Sequence, residues 1–286
     1  MKKIITETEI NLNDVEHLID LALNEDIRNG DLTTENLIAE DIKVNAFMKA
    51  KADGILSGLF VAEKVFKKLD KNIEWKPKFS DGDKIKSGDV LVEFSGSYRA
   101  ILTGERTALN FLQRMSGVAT KTNLFVKAIE GTSTQILDTR KTLPTYRMLD
   151  KYSVKMGGGT NHRIGLFDMV MIKDNHIKVA GGITNAVKKI RENVNSKIKI
   201  EVETSNMQEV EEALQNKVDI IMLDNMNNKQ MKEAVDFIDA KALVEASGNV
   251  NLERVKSIAE TGVDFISVGA LTHSAIALDI GQYILD

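Results

Sequence analysis

Positively charged side chains follow several short apolar runs in the second half of the chain. Arg140 and Lys141 follow the run QILDT, His162 and Arg163 follow a run of glycines, and Lys173 ends the run MVMI. If these runs are strands of one β/α barrel, their carboxyl ends converge on a single cavity. Four cations and a histidine in one cavity suit a ligand that carries several carboxylates or phosphates. The competing interpretation is that each is a solvated surface charge.

Carboxylates end two of the neighbouring runs. In IKIEVE, Glu201 and Glu203 share one face because side chains alternate along a strand, and Asp224 ends the next run. Carboxylates among cations are typical of a site where Mg²⁺ is bound together with substrate phosphates. The alternative is that they are salt-bridge partners that keep the cations ordered.

Small residues end the last two runs, as SGN at 247–249 and VGA at 268–270, and each is followed by a predicted helix. Small residues let backbone N–H groups and a helix N-terminus approach an anion, so these loops predict a phosphate site. The alternative is that the glycines only form tight turns.

The spacing of these residues predicts the elements that position them. Glu203, Asp224, Ser247 and Gly269 follow one another at intervals of 21, 23 and 22 residues, which is the length of one strand plus one helix. Six such units follow residue 135 and predict a β/α barrel or a doubly wound sheet. We favour the barrel, because every strand ends in a candidate functional residue.

The first half of the chain has a different pattern of predicted helices and strands. Residues 12–24 are predicted to form an amphipathic helix, short strands with one helix near 59–69 follow between about 40 and 98, and residues 99–131 are predicted to be helical. The segment SDGDKIKSGDVLVEFSG resembles the hammerhead strands of biotinyl or lipoyl carriers. It lacks a lysine in the Met-Lys-Met setting of a carrier, so we interpret the likeness as shared strand architecture.

Composition excludes several kinds of protein. The length of 286 residues suffices for about two domains. The 38 Lys and Arg residues and 42 Asp and Glu residues give a net charge of −4, which argues against a general nucleic-acid binder. The absence of cysteine excludes disulfides, thiolate zinc sites and iron–sulfur clusters. Only two apolar residues, Ile4 and Ile5, stand between Lys3 and Thr6, which is too few for the apolar stretch of a signal peptide. No apolar run approaches the roughly 20 residues of a membrane span. We therefore expect a cytoplasmic protein without a targeting segment.

Ordered motifs across most of the chain resemble one family. The segment LDTRKTLPTYRMLDKYSVKMGGGTNHRIGLFDMVMIKDNHI at 137–177 closely resembles the signature of quinolinate phosphoribosyltransferases. Further matches follow in the same order: GDLTT at 30–34, LTGERTALNFLQRMSG at 102–117, EVE at 201–203, LDN at 223–225, EASGN at 245–249 and ISVGALTHS at 266–274.

The resemblance implies an α/β fold with an N-terminal α/β sandwich (hammerhead-like) domain and a C-terminal incomplete β/α barrel. We expect the sandwich over residues 1–115, the barrel over 116–272, and a C-terminal helix over 273–286 that packs back on the N-terminal domain. The implied reaction converts quinolinate and phosphoribosyl pyrophosphate to nicotinate mononucleotide, pyrophosphate and carbon dioxide, in NAD biosynthesis. Mg²⁺ is the implied cofactor, and a homodimer or hexamer is the implied assembly.

The matching motifs carry the family's substrate site onto particular residues. The resemblance implies that the quinolinate carboxylates are held beside Thr139 by Arg140, His162, Arg163 and Lys173. Arg106 is expected to enter the site from the neighbouring subunit. The implied cradle of the 5′-phosphate consists of Ser247, Gly248, Asn249, Gly269 and Ala270.

Three residues are implied to be catalytic. Lys141 reaches the sugar or pyrophosphate region. Glu203 and Asp224 face the ribose hydroxyls and bind Mg²⁺, directly or through water.

One segment departs from the family pattern, and two other kinds of enzyme are alternatives to the family. Leu143-Pro144-Thr145 stands where the family often has Thr-Pro-Gly, beside the expected pocket. A related group encoded with molybdate-transport genes has the same fold, but the intact KDNHI and NHR segments favour the quinolinate enzyme. A barrel aldolase or isomerase would use Lys141 or Lys173 as a Schiff-base nucleophile, which requires an apolar setting that neither has in the sequence.

Overall fold

The computed structural model describes residues 11–285, which form two compact units. The sandwich unit comprises residues 11–123, 142–158 and 274–285, and the barrel unit comprises residues 124–141 and 159–273. Residues 3–6 lie outside the described residues. The expectation that the chain has no targeting sequence depends on this segment.

Strands and helices are numbered in chain order through both units. The strands of residues 11–285 are β1 (Lys43–Ala50), β2 (Gly54–Ile55), β3 (Glu74–Pro77), β4 (Lys84–Ile85), β5 (Val90–Ser97), β6 (Gln135–Leu137), β7 (Val170–Ile172), β8 (Ile200–Thr204), β9 (Ile220–Asp224), β10 (Leu243–Ser247), β11 (Phe265–Ser267) and β12 (Ile280–Leu285). The helices are α1 (Leu12–Ile27), α2 (Thr34–Leu37), α3 (Leu59–Leu69), α4 (Tyr98–Ala128), α5 (Arg147–Met156), α6 (Asp174–Ala180), α7 (Ile183–Asn193), α8 (Met207–Gln215), α9 (Asn228–Ile238), α10 (Val255–Ala259) and α11 (Ala270–His273).

The sandwich unit is built on a four-stranded antiparallel sheet with the strand order β12-β1-β5-β3. Every second residue of β1 from Ala46 onward is buried, as expected for a strand with one face on the core. The buried face of α3 contributes Phe66, whose ring centroid lies 6.0 Å from that of Trp75 and 5.0 Å from that of Phe94. The predicted helices at 12–24, 59–69 and 99–131 are confirmed as α1, α3 and α4.

The C-terminal segment differs from the prediction. The helix expected over 273–286 is wrong, because residues 280–285 form strand β12, which pairs antiparallel with β1. Two glutamines also hold this strand: Gln113 Nε2 donates to the carbonyl of Ile280 at 2.7 Å, and Gln282 Nε2 donates to that of Ile101 at 3.1 Å. Without β12 one edge of β1 would lack its backbone partners, so the sheet ladder decides the conformation.

The compact sandwich unit extends beyond the boundary expected between residues 115 and 116. Helix α4 runs without interruption through that point, and α5 belongs to the sandwich unit although it lies far along the chain. An ion pair between Arg114 and the fully buried Asp150, at 3.1 Å, and a hydrogen bond from the Tyr152 hydroxyl to Asp81, at 2.8 Å, tie α5 to this unit. No helix in residues 11–285 is long and apolar enough to span a bilayer.

The barrel unit contains a six-stranded parallel sheet with the order β7-β8-β9-β10-β11-β6. The first strand of the unit pairs with the last, whereas a doubly wound sheet would reverse its strand order at a switch point. On the other side of β6 a single parallel bridge joins Leu137 to Thr160. The sheet is therefore the predicted incomplete barrel.

The register of this sheet aligns the carboxyl ends of its strands. Ser247 at the end of β10 pairs with Asp224 at the end of β9, and Ser267 at the end of β11 pairs with Leu137 in β6. Side chains at these ends therefore lie at one edge of the sheet, where ligands bind in β/α barrels.

Thr145, in the segment that departs from the family pattern, has a strained backbone. Its φ is +65°, a left-handed conformation that β-branched residues disfavour by about 1–3 kcal/mol. We predict that Thr145→Gly raises the free energy of unfolding by about 1 kcal/mol, after allowing for the entropy that glycine adds to the unfolded chain. The apparent melting midpoint, followed by circular dichroism, should rise by about 2–4 °C.

The matched control is Thr33→Gly. Thr33 is exposed too, but its φ is −83°, so removing its side chain relieves no backbone strain and should lower the melting midpoint. A midpoint that falls equally in both variants would contradict the assignment of strain to Thr145.

Candidate active site

A cavity of about 260 Å³ opens at the carboxyl edge of the barrel sheet. Nine predicted site residues line it: Thr139, Arg140, Lys141, His162, Arg163, Lys173, Glu203, Asp224 and Ser247. Four further lining residues were absent from the predicted set: Met171, Met222, Glu245 and Ser267. The cavity therefore brings the predicted cations and carboxylates together.

Arg140 and Arg163 give the cavity its uncompensated positive charge. The Nε atom of Arg140 is buried and has no hydrogen-bond partner within residues 11–285. Arg163 is anchored instead, because its Nη1 donates to the carbonyl of Met169 at 3.0 Å. Burial and the charge of Arg140 lower the pKa of Arg163. The two guanidinium groups repel each other, and the buried Nε donor of Arg140 is unpaired within the described residues. An anionic ligand would offset both unfavourable terms.

The two lysines are held by their backbone. The N–H of Lys141 donates to the Thr139 hydroxyl at 3.1 Å, and the Lys141 carbonyl accepts from the Thr272 hydroxyl at 2.8 Å. Lys173 caps α6, and its N–H donates to Nδ1 of His176 at 3.0 Å. These contacts leave the ammonium groups to reach into the cavity on flexible side chains.

Of the two roles that the sequence left open for the carboxylates, the structure shows the salt-bridge role for Glu203. Glu203 lies 3.4 Å from Nζ of Lys173, in a pair that is partly exposed. Asp224 accepts a hydrogen bond from the side chain of Asn225 at 2.7 Å. Glu203 is thus a salt-bridge partner, and both groups also present oxygen atoms to the cavity.

His162 lies beside two buried carboxylates, Glu201, which the sequence analysis named among the strand-end acids, and Glu245, which it did not name. Its Nε2 lies 3.1 Å from an oxygen of Glu201 and 3.2 Å from an oxygen of Glu245, and both glutamates are fully buried. Burial alone lowers the pKa of His162, but Glu245 and Glu201 outweigh it and raise the pKa to about 10. Burial and Glu245 in turn raise the pKa of Glu201 to about 7.

The Nε2 atom of His162 carries a proton in either plausible state of the ring. The backbone N–H of Arg163 donates to Nδ1 at 2.7 Å, which favours a ring protonated at Nε2 alone. The two carboxylates favour the doubly protonated imidazolium. Both states leave a proton on Nε2, which lies within 3.2 Å of a carboxylate oxygen of each glutamate.

Strand alternation was the signal that could have identified Glu245. It stands two residues before Ser247, so the two share a strand face, as Glu201 and Glu203 do on a neighbouring strand. Asp138 was missed as well: its carboxylate accepts from the backbone N–H of His162 at 2.9 Å and from Asn161 Nδ2 at 2.6 Å. It fixes the segment that carries His162.

The two loops of small residues follow the lining residues Ser247 and Ser267. Gly248 has a φ of +99°, and a Cβ there would lie 2.2 Å from the side-chain oxygen of Asn225, so only glycine fits. That oxygen accepts from Nδ2 of Asn249 at 3.1 Å. The predicted helices after the loops are short: α10 has five residues and begins only at Val255, and α11 has four and begins at Ala270. The loop backbones, more than helix termini, are therefore available to an anion.

Arg106 is the predicted site residue that the barrel unit does not contain. It lies on α4 in the sandwich unit, with 62% of its side chain exposed. There it lines a separate cavity of about 390 Å³ together with α1 residues such as Leu18 and Ala22.

Comparisons with known proteins agree with this geometry. The family model "Quinolinate phosphoribosyl transferase, N-terminal domain" matches residues 31–116, and "Quinolinate phosphoribosyl transferase, C-terminal domain" matches residues 118–282. The chain is 46% identical to a chloroplastic nicotinate-nucleotide pyrophosphorylase [carboxylating] of Arabidopsis thaliana, over 93% of this chain and 82% of that protein.

A solved structure is similar over the full length of the chain. The nicotinate-nucleotide pyrophosphorylase of Francisella tularensis is 43% identical, with a TM-score of 0.94 and full coverage of both chains. A probable nicotinate-nucleotide pyrophosphorylase [carboxylating] of Synechocystis is 44% identical over 92% of this chain and 90% of that one. With both family domains matched in order and a cation-lined barrel cavity between the matched motifs, the chain belongs to the quinolinate phosphoribosyl transferase family.

Proposed function

We propose that the barrel cavity transfers the phosphoribosyl group of phosphoribosyl pyrophosphate to quinolinate, with loss of one carboxylate as carbon dioxide. The product is nicotinate mononucleotide, a precursor of NAD. The observation that carries this proposal is the cluster of four cations around a small cavity, in which a buried nitrogen of Arg140 lacks a partner within residues 11–285. A planar dicarboxylate supplies acceptors for such donors, and the family named above acts on one.

Each part of the cavity has a distinct role. Arg140, His162, Arg163 and Lys173 bind the two quinolinate carboxylates, and Thr139 lies beside them. Lys141 points its ammonium group at the sugar or pyrophosphate. The loops at Ser247–Asn249 and Gly269–Ala270 surround the 5′-phosphate with backbone N–H groups. Binding both substrates in one cavity gives the reacting atoms their alignment, which is a large part of catalysis by positioning.

The reaction needs charge stabilisation and no covalent nucleophile. The pyridine nitrogen bonds to C1′ of ribose while the bond to pyrophosphate breaks, and pyrophosphate leaves with the electron pair. Positive charge develops on the sugar, where Glu203 and Asp224 stabilise it. The carboxylate next to the nitrogen then leaves as carbon dioxide. Its electron pair remains on the ring carbon beside the cationic nitrogen, and a proton is added there.

Glu203 and Asp224 are the residues that would hold Mg²⁺. Both present carboxylate oxygens to the cavity, and Mg²⁺ uses one or two such ligands while it keeps waters and substrate phosphates. The ligand atoms of His162, Glu201 and Glu245 also lie within 4.8 Å of one another. That cluster is sealed from solvent and already pairs its nitrogen with its carboxylates, so it fits hydrated Mg²⁺ poorly. The bound ion would neutralise the leaving pyrophosphate.

We also propose that the active enzyme is a homodimer or a higher multiple in which Arg106 serves the neighbouring subunit's site. Support comes from the exposure of Arg106 and from exposed apolar side chains on the barrel unit. Leu166, Phe167 and Val179 are 74%, 78% and 89% exposed, and such apolar surface is typical of protein interfaces.

The cytoplasm remains the proposed location.

A Schiff-base aldolase is not favoured by the geometry. Its lysine would need an apolar setting, whereas Lys173 is 3.4 Å from Glu203 and Lys141 is exposed.

The direct test of the proposal is to incubate the purified protein with quinolinate, phosphoribosyl pyrophosphate and Mg²⁺. Nicotinate mononucleotide and carbon dioxide should form in equal amounts, as measured by chromatography and by release of label from the carboxylate. Replacing quinolinate by nicotinate, or chelating Mg²⁺, should abolish product. Formation of product from nicotinate alone would overturn the assignment of substrate.

The placement of Arg106 is tested by mixing variants. Arg106→Ala and Lys173→Ala homo-oligomers should each be inactive. Random mixing makes about half of the dimers hybrid, with one complete site in two, so activity should recover to about a quarter of the wild-type value. Absence of recovery, in mixtures shown to contain hybrids, would place Arg106 in its own subunit's site, and an active Arg106→Ala homo-oligomer would place it outside any site.

The phosphate loop is tested by Gly248→Ala, with Gly88→Ala as the matched control. Both glycines have a φ near +98°, but a Cβ at Gly88 meets nothing within 4 Å, whereas one at Gly248 collides with Asn225. Both variants should lose about 1–3 kcal/mol of stability to backbone strain. Only Gly248→Ala should also raise the KM for phosphoribosyl pyrophosphate, by about tenfold or more, because the loop is displaced. Equal KM values would remove this loop from the phosphate site.

A further inference from the structure

A loop of the barrel unit, residues 163–169, begins with a cation of the cavity and ends just before strand β7. Its first residue, Arg163, lines the cavity and is buried. Burial and the charge of Arg140 lower the pKa of Arg163, whereas Glu201 and Asp168 partly offset this effect. A buried guanidinium that is repelled by another needs contacts that hold it in place. The loop supplies them.

Two sets of hydrogen bonds close this loop. In the first, Nη1 of Arg163 donates to the carbonyl of Met169 at 3.0 Å. In the second, Asp168 accepts at Oδ2 from the backbone N–H of Ile164, at 2.7 Å, and at Oδ1 from that of Gly165, at 2.9 Å. Each oxygen of Asp168 therefore holds one of the two N–H groups that directly follow Arg163. A short carboxylate side chain that bonds nearby backbone N–H groups fixes the local turn.

The two sets of hydrogen bonds depend on each other. Asp168 stands next to Met169 in the chain, while its carboxylate bonds the residues that follow Arg163. It thereby draws the two ends of the loop together and brings the Met169 carbonyl within reach of the guanidinium. Without this carboxylate, both the chain after Arg163 and the carbonyl that holds its side chain would be free to move.

We propose that Asp168 is a positioning residue, which folds the loop 163–169 so that the guanidinium of Arg163 stays where it binds a carboxylate of the substrate. The inference rests on the proposed function, because it assumes an anionic substrate in this cavity. Asp168 does not line the cavity, so it acts on the substrate through Arg163.

Charge and position predict opposite effects of neutralising Asp168. A negative charge close to Arg163 opposes the attraction of the cavity for an anion. If Asp168 acted only through its charge, neutralising it would leave the binding of an anion unchanged or make it tighter. If Asp168 positions Arg163, neutralising it makes the binding of an anion weaker.

The test compares two variants of Asp168 with a matched control. Asp168→Asn and Asp168→Ala remove the same charge, but asparagine keeps one acceptor for the backbone N–H groups and alanine keeps none. The control is Asp219→Asn. The Asp219 carboxylate also accepts from a backbone N–H, that of Ile200 at 2.8 Å, but at the amino ends of β8 and β9, at the edge of the sheet opposite to the cavity.

The probe is benzene-1,2-dicarboxylate, which has two neighbouring carboxylates but no ring nitrogen that reacts. Its Kd, measured by calorimetry on the intact protein, should rise by about tenfold in Asp168→Asn, the equivalent of one hydrogen bond between charged groups, and by more in Asp168→Ala. Asp219→Asn should bind the probe as the wild type does. All three variants should melt at a lower temperature, because each leaves a backbone N–H without its acceptor.

In turnover, the KM for quinolinate should rise in both Asp168 variants by more than kcat falls. Unchanged or tighter binding of the probe in both Asp168 variants would overturn the proposal, because a purely electrostatic role predicts that result. Equal weakening in Asp219→Asn would overturn it too, since the effect would then follow from lost stability alone.

Hydrogen exchange of the wild type keeps the inference testable if the Asp168 variants do not fold. If the probe binds only while the loop is closed, it suppresses loop opening by the factor 1 + [L]/Kd. The N–H groups of Ile164 and Gly165 should therefore exchange about a hundredfold more slowly at a probe concentration of about one hundred times Kd. The control is the N–H of Lys86, which the Asp89 carboxylate holds at 2.8 Å in the sandwich unit and whose exchange should not change. Exchange at Ile164 and Gly165 that the probe does not slow would contradict the proposal.

The outcomes separate this inference from the proposed function. If the wild type binds neither the probe nor quinolinate, the assigned substrate is wrong and the positioning role is wrong with it. If the wild type binds the probe and makes product but the Asp168 variants behave like Asp219→Asn, only the positioning role is wrong.

Discussion

Mutual repulsion among the cations of the barrel cavity is the constraint on which the site depends. The positive side chains line a cavity of only about 260 Å³, so they repel one another. A bound anion would reduce this repulsion. The structure offsets this repulsion locally. Lys173 is paired with Glu203, and Arg163 is tied to the carbonyl of Met169, while Arg140 keeps a buried donor unused. These contacts hold the cations in place, and an anionic ligand would supply the negative charge that the cavity lacks.

The parallel sheet makes this crowding possible. Because the register pairs Ser247 with Asp224 and Ser267 with Leu137, residues far apart in the chain meet at one edge. The interior of the barrel below that edge is not uniformly apolar. It contains Glu201, Glu245 and Asp138, each fully buried, and each contacts His162 or the segment beside it. Three buried carboxylates of the barrel thus contact His162 or the backbone beside it.

Sequence reasoning predicted that these side chains meet, because strand ends in a barrel converge whatever the details of packing. Spacing and residue type sufficed to bring Arg140, Glu203, Asp224 and Ser247 to one cavity. The same reasoning missed Glu245, since a carboxylate inside a strand reads as an exposed alternate residue until both faces of the sheet are known to be buried. It also missed strand β12, because the pairing that stabilises it is with β1, more than two hundred residues earlier. Long-range pairing of this kind leaves no local signal.

That pairing has a consequence for how the protein is made. The sandwich unit takes its residues from three separate stretches of chain, and one edge of its sheet is formed by residues 280–285. On the ribosome, β1 is synthesised early, and one of its edges lacks its partner strand until residues 280–285 have been synthesised. Closing so large a loop costs conformational entropy and slows folding. The barrel unit is also interrupted by α5, so nascent chains of this protein complete neither unit in the order in which they are translated.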